Sequence, residues 1–287
     1  MFAEQEVRAS DGLRLYYRKY AGDPQRTAVL CLPGLTRNSR DFEALAPHIS
    51  SVSRRSVVAL DLRGRGHSAS DPEWRNYRPE IYVRDVLTVL DAAGLQRVIV
   101  IGTSLGGIVG MLLASLHRAR TAGLVLNDIG PVLEFAGMAR IASSAGTARS
   151  VTTWAEAAAD ARAANAEVYP DFTDADWMTF ARRVYREDSP GRIIRDVDPN
   201  VGRAVREPAG VPTGAVPDFW GAFDALKGLP LLCLRGELSD LLSATTVARM
   251  AEHHVGMKSI EIPRRGHAPT LDEPESRTAI DAFIERL

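Results

Sequence analysis

Apolar residues in the first 130 positions fall into two alternating textures. Short unbroken runs occupy 28–32, 57–60, 98–101 and 123–126. Runs of this kind predict strands buried on both faces, as in a parallel sheet. Between them the apolar positions take helical spacing. Phe42, Leu45, Ala46 and Ile49 share one face of a helix over 39–49, and a second helix over 81–93 ends at Gly94, where glycine commonly closes a helix. The stretch 105–116 is apolar nearly all round and predicts a buried helix. Upstream, Asp11-Gly12 followed by the β-formers of 13–20 predicts a hairpin at the sheet edge. The same texture returns late in the chain, with helices over 218–226, 244–253 and 274–287 and strands over 231–234 and 259–262. Pro274 suits a first helical turn. Alternating strands and helices predict the α/β class, a parallel sheet with helices on both faces.

Between 131 and 217 the texture changes, and no run reads as a buried strand. Thr153-x-x-Glu156 predicts a capping box that opens an Ala-rich helix ending before Pro170, and Thr173-x-x-Asp176 predicts another. In the second, Trp177, Phe180, Ala181, Val184 and Tyr185 make a one-sided stripe, with Arg182, Arg183 and Arg186 opposite. Residues 191–217, rich in Pro, Gly and charge, predict a long connection with short helices at most. The expected organisation is therefore a core of 1–130 and 218–287 interrupted by a helical lid over 131–217. Packing onto the core accounts for most of the aromatic stripe, while part of the lid roofs the cleft.

The chemistry concentrates where the 98–101 strand meets the 105–116 helix. Gly102-Thr103-Ser104-Leu105-Gly106 leaves almost no room to turn. This is the G-x-S-x-G spacing in its required strand–turn–helix context, and it predicts Ser104 on a strained bend above the sheet edge. A serine hydroxyl needs a base. Of the six histidines, His267 is best placed, in a loop directly after the 259–262 strand. His67 belongs to a glycine turn, His48 and His117 lie on helices, and His253 and His254 are adjacent on a helix end with no metal spacing. The imidazole needs an oriented carboxylate. Asp240, after the 231–234 strand, gives the order Ser, Asp, His. Asp128, at the end of the 123–126 strand, is the alternative, and Glu237 is a further rival. The oxyanion donors expected are the backbone N–H groups of Leu105 and Leu35, with Gly34 letting the backbone approach closely.

Composition narrows the classes. Lys+Arg 35 and Asp+Glu 36 nearly cancel, so nothing points to nucleic acid or an anionic membrane. Cys31 and Cys233 sit in apolar runs and show neither metal nor redox spacing. The start, Met1 to Glu6, lacks a basic leader and an apolar core, and no apolar run approaches a membrane span. A cytoplasmic protein acting on a small molecule, as monomer or homodimer and with no metal, is expected. Gly64-Arg65-Gly66-His67-Ser68-Ala69 nominally matches a dinucleotide fingerprint, but Pro72 and Pro79 interrupt what would have to be its helix. It is read as a tight turn.

Gly102-Thr103-Ser104-Leu105-Gly106-Gly107, Asp61-Leu62-Arg63-Gly64-Arg65-Gly66-His67-Ser68 and Gly266-His267 together resemble the α/β-hydrolase superfamily. The similarity is to lid-bearing esterases, enol-lactonases and meta-cleavage-product (C–C bond) hydrolases. It implies an eight-stranded, mostly parallel sheet, a triad of Ser104, Asp240 and His267, and no cofactor. Pro33-Gly34 stands where the family commonly has His-Gly, and Gly236 to Asp240 is one residue longer than the usual Gly-x-x-Asp. Serine at the bend argues against epoxide hydrolase and haloalkane dehalogenase chemistry, which in similar proteins uses aspartate there. The function expected is a serine hydrolase of an apolar acyl or aryl ester or lactone. One alternative is a C–C bond hydrolase of a vinylogous diketone acid, whose carboxylate calls for a pocket arginine; Arg37 is the candidate, with a surface position as its other reading. The other is a non-catalytic ligand-binding protein on the same fold. Trp177 and Trp220 are further expected pocket residues.

Overall fold

Successive side chains of a strand point to opposite faces of a sheet, and the central strands here are apolar at both. The computed structural model, which describes residues 1–146, 150–207 and 218–287, shows where each set goes. The first half of the core runs β1 (Phe2–Arg8), β2 (Arg14–Tyr20), β3 (Ala28–Leu32), α1 (Leu45–Val52), β4 (Val57–Asp61), α2 (Pro79–Ala92), β5 (Val98–Thr103), α3 (Leu105–Leu116) and β6 (Thr121–Asn127). An insertion follows, with α4 (Phe135–Ser144), β7 (Ser150–Val151), α5 (Trp154–Asn165), α6 (Asp174–Val184), β8 (Tyr185–Ser189), β9 (Arg192–Arg195) and α7 (Pro199–Arg206). The core resumes with α8 (Trp220–Asp224), β10 (Leu231–Gly236), α9 (Ala244–His253), β11 (Lys258–Ile262) and α10 (Pro274–Ile284).

The main sheet has eight strands in the order β1-β2-β4-β3-β5-β6-β10-β11. Only the β1–β2 and β2–β4 pairings are antiparallel. The expected hairpin sits at that edge. Leu30, Leu32, Val98 and Val100 face a core shared with α2 and α3, while Val29, Cys31, Ile99 and Ile101 face the core under α1 and α10. Both thiols are buried and free. Burial pushes the Cys233 thiol up to about 12. Among the described residues, no helix is long and apolar enough to cross a membrane and no acidic, His or Cys group is arranged to hold a metal.

The insertion differs from the helical expectation. β7, β9 and β8 form a three-stranded antiparallel sheet. β9 lies within the stretch expected to be a long connection, where the short helix α7 agrees with the expectation, and 208–217 fall outside the described residues. β8 and β9 escape notice in the sequence because they are short and charged, with Arg186, Glu187, Asp188, Arg192 and Arg195 among their residues. Both capping boxes form as read. The aromatic stripe of α6 is buried in a small separate core with Val168, Tyr169 and Ile193. Arg183 departs from its expected polar face: it is buried and pairs with Asp272 at 2.7 Å. Further bonds tie the insertion to the core. Asn38 Nδ2 donates to the Arg183 carbonyl at 3.0 Å, and the Gly266 amide to the Val168 carbonyl at 2.8 Å.

The 64–69 segment is a tight turn, as read. Gly64 and Gly66 have φ of 73° and 55°, and a Cβ at Gly66 would lie 2.2 Å from the Asp61 carboxylate. Beside it, the Arg63 side chain is only 1% exposed. It donates to both Asp85 oxygens at 2.7 and 2.6 Å, to Asp71 at 2.6 Å and to Asp11 at 2.9 Å. A buried pair of this kind is costly to break from one side, because the abandoned carboxylates keep their desolvation penalty. Arg63→Met is expected to destabilise the protein by about 3–5 kcal/mol, read as a lower urea midpoint with the slope unchanged.

Candidate active site

The parallel strands all end on the same sheet edge, the edge where open α/β sheets present their loops to ligands. β3, β5, β6, β10 and β11 deliver Gly34, Ser104, Asp128, Ser239 and His267 there. At the end of β5 the chain turns into α3 within one residue. Ser104 has φ 52° and ψ −118°, a strained conformation for a residue with a side chain. The glycines that permit it are explained by contact. A Cβ at Gly102 would come 2.4 Å from the Gly106 carbonyl oxygen, and one at Gly106 would come 2.1 Å from that of Leu32.

His267 Nε2 lies 2.8 Å from Ser104 Oγ, and its Nδ1 lies 2.8 Å from Asp128 Oδ2. A carboxylate only accepts, so Nδ1–H donates to Asp128 and Nε2 is left to accept from the serine hydroxyl. Asp128 is enclosed, with a side-chain exposure of 0%. Enclosure of a carboxylate needs compensating donors. The Gly236 amide supplies one to Oδ1 at 2.7 Å, and the Ser239 hydroxyl another to Oδ2 at 2.6 Å. The histidine loop is fixed separately. Asn127 Nδ2 donates to the Pro269 carbonyl at 2.9 Å, and the Tyr169 hydroxyl to the Ala268 carbonyl at 2.8 Å. Burial raises the Tyr169 phenol, which keeps it a neutral donor.

The carboxylate at His267 is therefore Asp128, the alternative, and not Asp240. After β10 the chain makes a tight turn, with the Ser239 amide donating to the Gly236 carbonyl at 3.0 Å. That turn aims the Ser239 hydroxyl at Asp128 and sends Asp240, one residue on, the other way. Asp240 instead accepts from Arg140 Nε and Nη2 at 2.6 and 2.8 Å. The Arg140 hydrogen bond holds its carboxyl below the usual range. Glu237 also faces elsewhere, accepting from the Arg264 amide at 2.7 Å. Sequence reading missed Ser239 and Arg140. Ser239 sat unremarked inside the very loop searched for an acid, and Arg140 carried no local signal.

Leu105 follows Ser104 in the chain, and Leu35 borders the same cavity as Ser104. Among the described residues neither amide has a hydrogen-bond acceptor. Leu105 opens α3, where the first amides have no intrahelical partner. The Leu35 carbonyl accepts from Arg65 Nε at 2.8 Å, which braces the loop from beneath. Ser104, His267 and Leu35 border a cavity of about 150 Å³ whose roof includes Arg140, Phe180 and Tyr185. Arg37 reaches its wall, as expected, with its guanidinium 4.3 Å from the Phe180 ring. The two tryptophans do not. Trp177 is buried among Tyr169, Phe172 and Phe180, and Trp220 packs at a tilt against His253 with ring centroids 4.3 Å apart. Packing claimed both.

The eight-stranded sheet and the serine bend define the fold of an α/β hydrolase, and comparison with known proteins agrees. Residues 29–282 match the model of the alpha/beta hydrolase family, and the chain belongs to that family. It is 32% identical over 267 residues to a 3-hydroxybutyrate-oligomer hydrolase of Cupriavidus necator, covering 91% of this chain and 89% of that one. An alpha/beta hydrolase from Novosphingobium aromaticivorans, known from a crystal structure, superposes with a TM-score of 0.92 at 44% identity, over 100% of this chain and 99% of that one. Epoxide hydrolase B of Mycobacterium tuberculosis is 34% identical over 115 residues, 40% of this chain and 31% of that one. The protein is thus a hydrolase by family and fold.

The Gly106 contact sets a test of the bend. Gly106→Ala is expected to cost about 3 kcal/mol of stability, since backbone atoms cannot step aside as a flexible side chain would. Urea unfolding of the purified variant measures it.

Proposed function

We propose that the protein is a serine hydrolase of carboxylic esters acting through an acyl-enzyme on Ser104. The observation that carries this reading is the unbroken hydrogen-bond line from Ser104 Oγ through His267 to Asp128, 2.8 Å at each step. As Ser104 Oγ attacks the ester carbonyl, His267 Nε2 takes its proton. Asp128 holds the ring in the tautomer that allows this and stabilises the imidazolium. The carbonyl oxygen becomes an oxyanion and accepts from the Leu35 and Leu105 amides, each such donor contributing roughly 3 kcal/mol. His267 then gives the proton to the departing alkoxide, leaving an acyl ester on Ser104. Water, deprotonated by the same imidazole, releases the acid and restores the serine. The segment 131–217 acts as the lid over this chemistry.

Two comparisons bear on the substrate. Oligomers of a hydroxy acid are joined by esters, so the Cupriavidus necator relative's name supports ester cleavage. Serine at position 104 supports acyl transfer over epoxide opening, which in similar proteins begins with an aspartate at that point.

A fluorophosphonate is expected to label the protein stoichiometrically and to fail on Ser104→Ala, and hydrolysis of p-nitrophenyl butyrate is expected to vanish with it. Asp128→Asn should lower kcat on that ester by about a thousandfold or more, because the imidazole loses its orienting partner. Asp240→Asn should lower it by far less. The reverse ranking would return the acid role to Asp240.

Ser239 touches no reacting atom and acts through Asp128 as a positioning residue. Ser239→Ala should lower kcat about tenfold, the worth of one hydrogen bond to a charged group. It should also displace the acidic limb of the pH–rate profile, with KM nearly unchanged, whereas a merely structural loss would leave that limb in place.

A further inference from the structure

The cavity above Ser104 has an unusual wall. It carries Arg37, Arg140, Arg183 and Arg195, and among the described residues only one carboxylate, Asp41, borders it. The carboxylates that pair with the other three arginines, Asp240, Asp272 and Asp160, stand behind them, outside the wall. Arg140, Arg183 and Arg195 therefore border the cavity while the carboxylates that hold them do not. The rest of the lining includes Ile141, Ala161, Ala164 and Val184, which suits a short aliphatic chain.

Two of these arginines retain unused donors. Arg140 spends Nε and Nη2 on Asp240, and Arg37 spends the same two nitrogens on Asp41 at 2.9 and 2.6 Å. Among the described residues no acceptor bonds Nη1 of either. Arg37 also lies close to the serine: a Cβ on Gly34 would be 3.4 Å from Arg37 Cγ and 3.8 Å from Ser104 Cβ. A guanidinium fixed by a bidentate pair has already lost its side-chain entropy, so a further charge-assisted bond forms at little ordering cost.

We propose that this wall recognises a carboxylate, through Nη1 of Arg37 and Arg140, so that the substrate is a short aliphatic ester bearing a free acid group. The size agrees. A cavity of about 150 Å³ accommodates a guest of roughly benzene's size, which matches a chain of a few carbons and its carboxylate. This inference rests on the acyl-enzyme reading for its chemistry but not for its binding. The competing account is that Arg140–Asp240 is only a latch between α4 and the loop after β10. A latch would affect charged and uncharged ligands alike.

The test separates these. Titration calorimetry of Ser104→Ala with monomethyl glutarate, which has one carboxylate, and dimethyl glutarate, which has none, needs no turnover. The monoacid is expected to bind at least about tenfold more tightly, as one charge-assisted hydrogen bond gives. Adding Arg140→Gln should erase most of that preference, and Arg37→Gln, an independent variant should the first misfold, should do the same. In the active enzyme the ratio of kcat/KM for mono-p-nitrophenyl glutarate over p-nitrophenyl butyrate should fall about tenfold in either variant. Equal binding of the two glutarates, no binding of either, or a ratio unmoved by both substitutions would overturn the proposal. Hydrolysis surviving in Ser104→Ala would overturn the acyl-enzyme reading instead, leaving calorimetry to decide the carboxylate site.

Discussion

Everything at the active edge depends on one steric constraint, the absence of space for a β-carbon at positions 102 and 106. β5 and α3 approach so closely that backbone fills what a methyl group would need, with the Leu32 carbonyl pressed against Gly106 and the Gly106 carbonyl against Gly102. The close approach forces the one residue between strand and helix into φ 52°. Strain of that kind persists only where the surroundings over-determine it, and here two buried cores on either side of the sheet do so. The same constraint puts the Ser104 hydroxyl within reach of His267 and makes Leu105 the first residue of α3, whose amide has no intrahelical partner.

The second determinant is the cost of enclosing a charge. Asp128 is sealed from water and collects a backbone amide, a serine hydroxyl and an imidazole N–H in return. Asp240 is partly exposed and is satisfied by one arginine. The sheet order explains why these two carboxylates divided the tasks in this way. β6 lies between β5 and β10, so the residue ending it sits beside Ser104 and beneath the loop that follows β11. The loop after β10 needs an extra turn to reach the same place, and it brings a serine rather than a carboxylate. Asp240, displaced outward, becomes the rear brace of a cavity arginine.

The insertion shows the limits of periodicity as a guide. α5 and α6 announced themselves through their caps, and α6 through its apolar stripe as well, because those signals act within a few residues. Its small sheet did not, because two of its strands are short and charged, and their one fully buried residue each, Tyr185 and Ile193, joins the core built by α5 and α6. Trp177 and Trp220 illustrate the same limit: large aromatics near a cleft in sequence were drawn into packing instead of lining it.

What the sequence by itself determined was local: the alternation of buried strands and helices, the tight glycine bend holding Ser104, the capped helices, and the histidine after the last strand. Each follows from interactions spanning a few residues, or from apolar runs that have no alternative to a shared core. Tertiary structure alone decided which carboxylate meets His267, that Ser239 supports it, and that arginines from the loop after β3, from α4, α6 and β9 converge over the serine. Those outcomes depend on strand order, on the direction a chain leaves each strand, and on which donors surround a buried charge. Spacing along the chain carries none of that, because a side chain turns outward or inward according to neighbours that are distant in sequence.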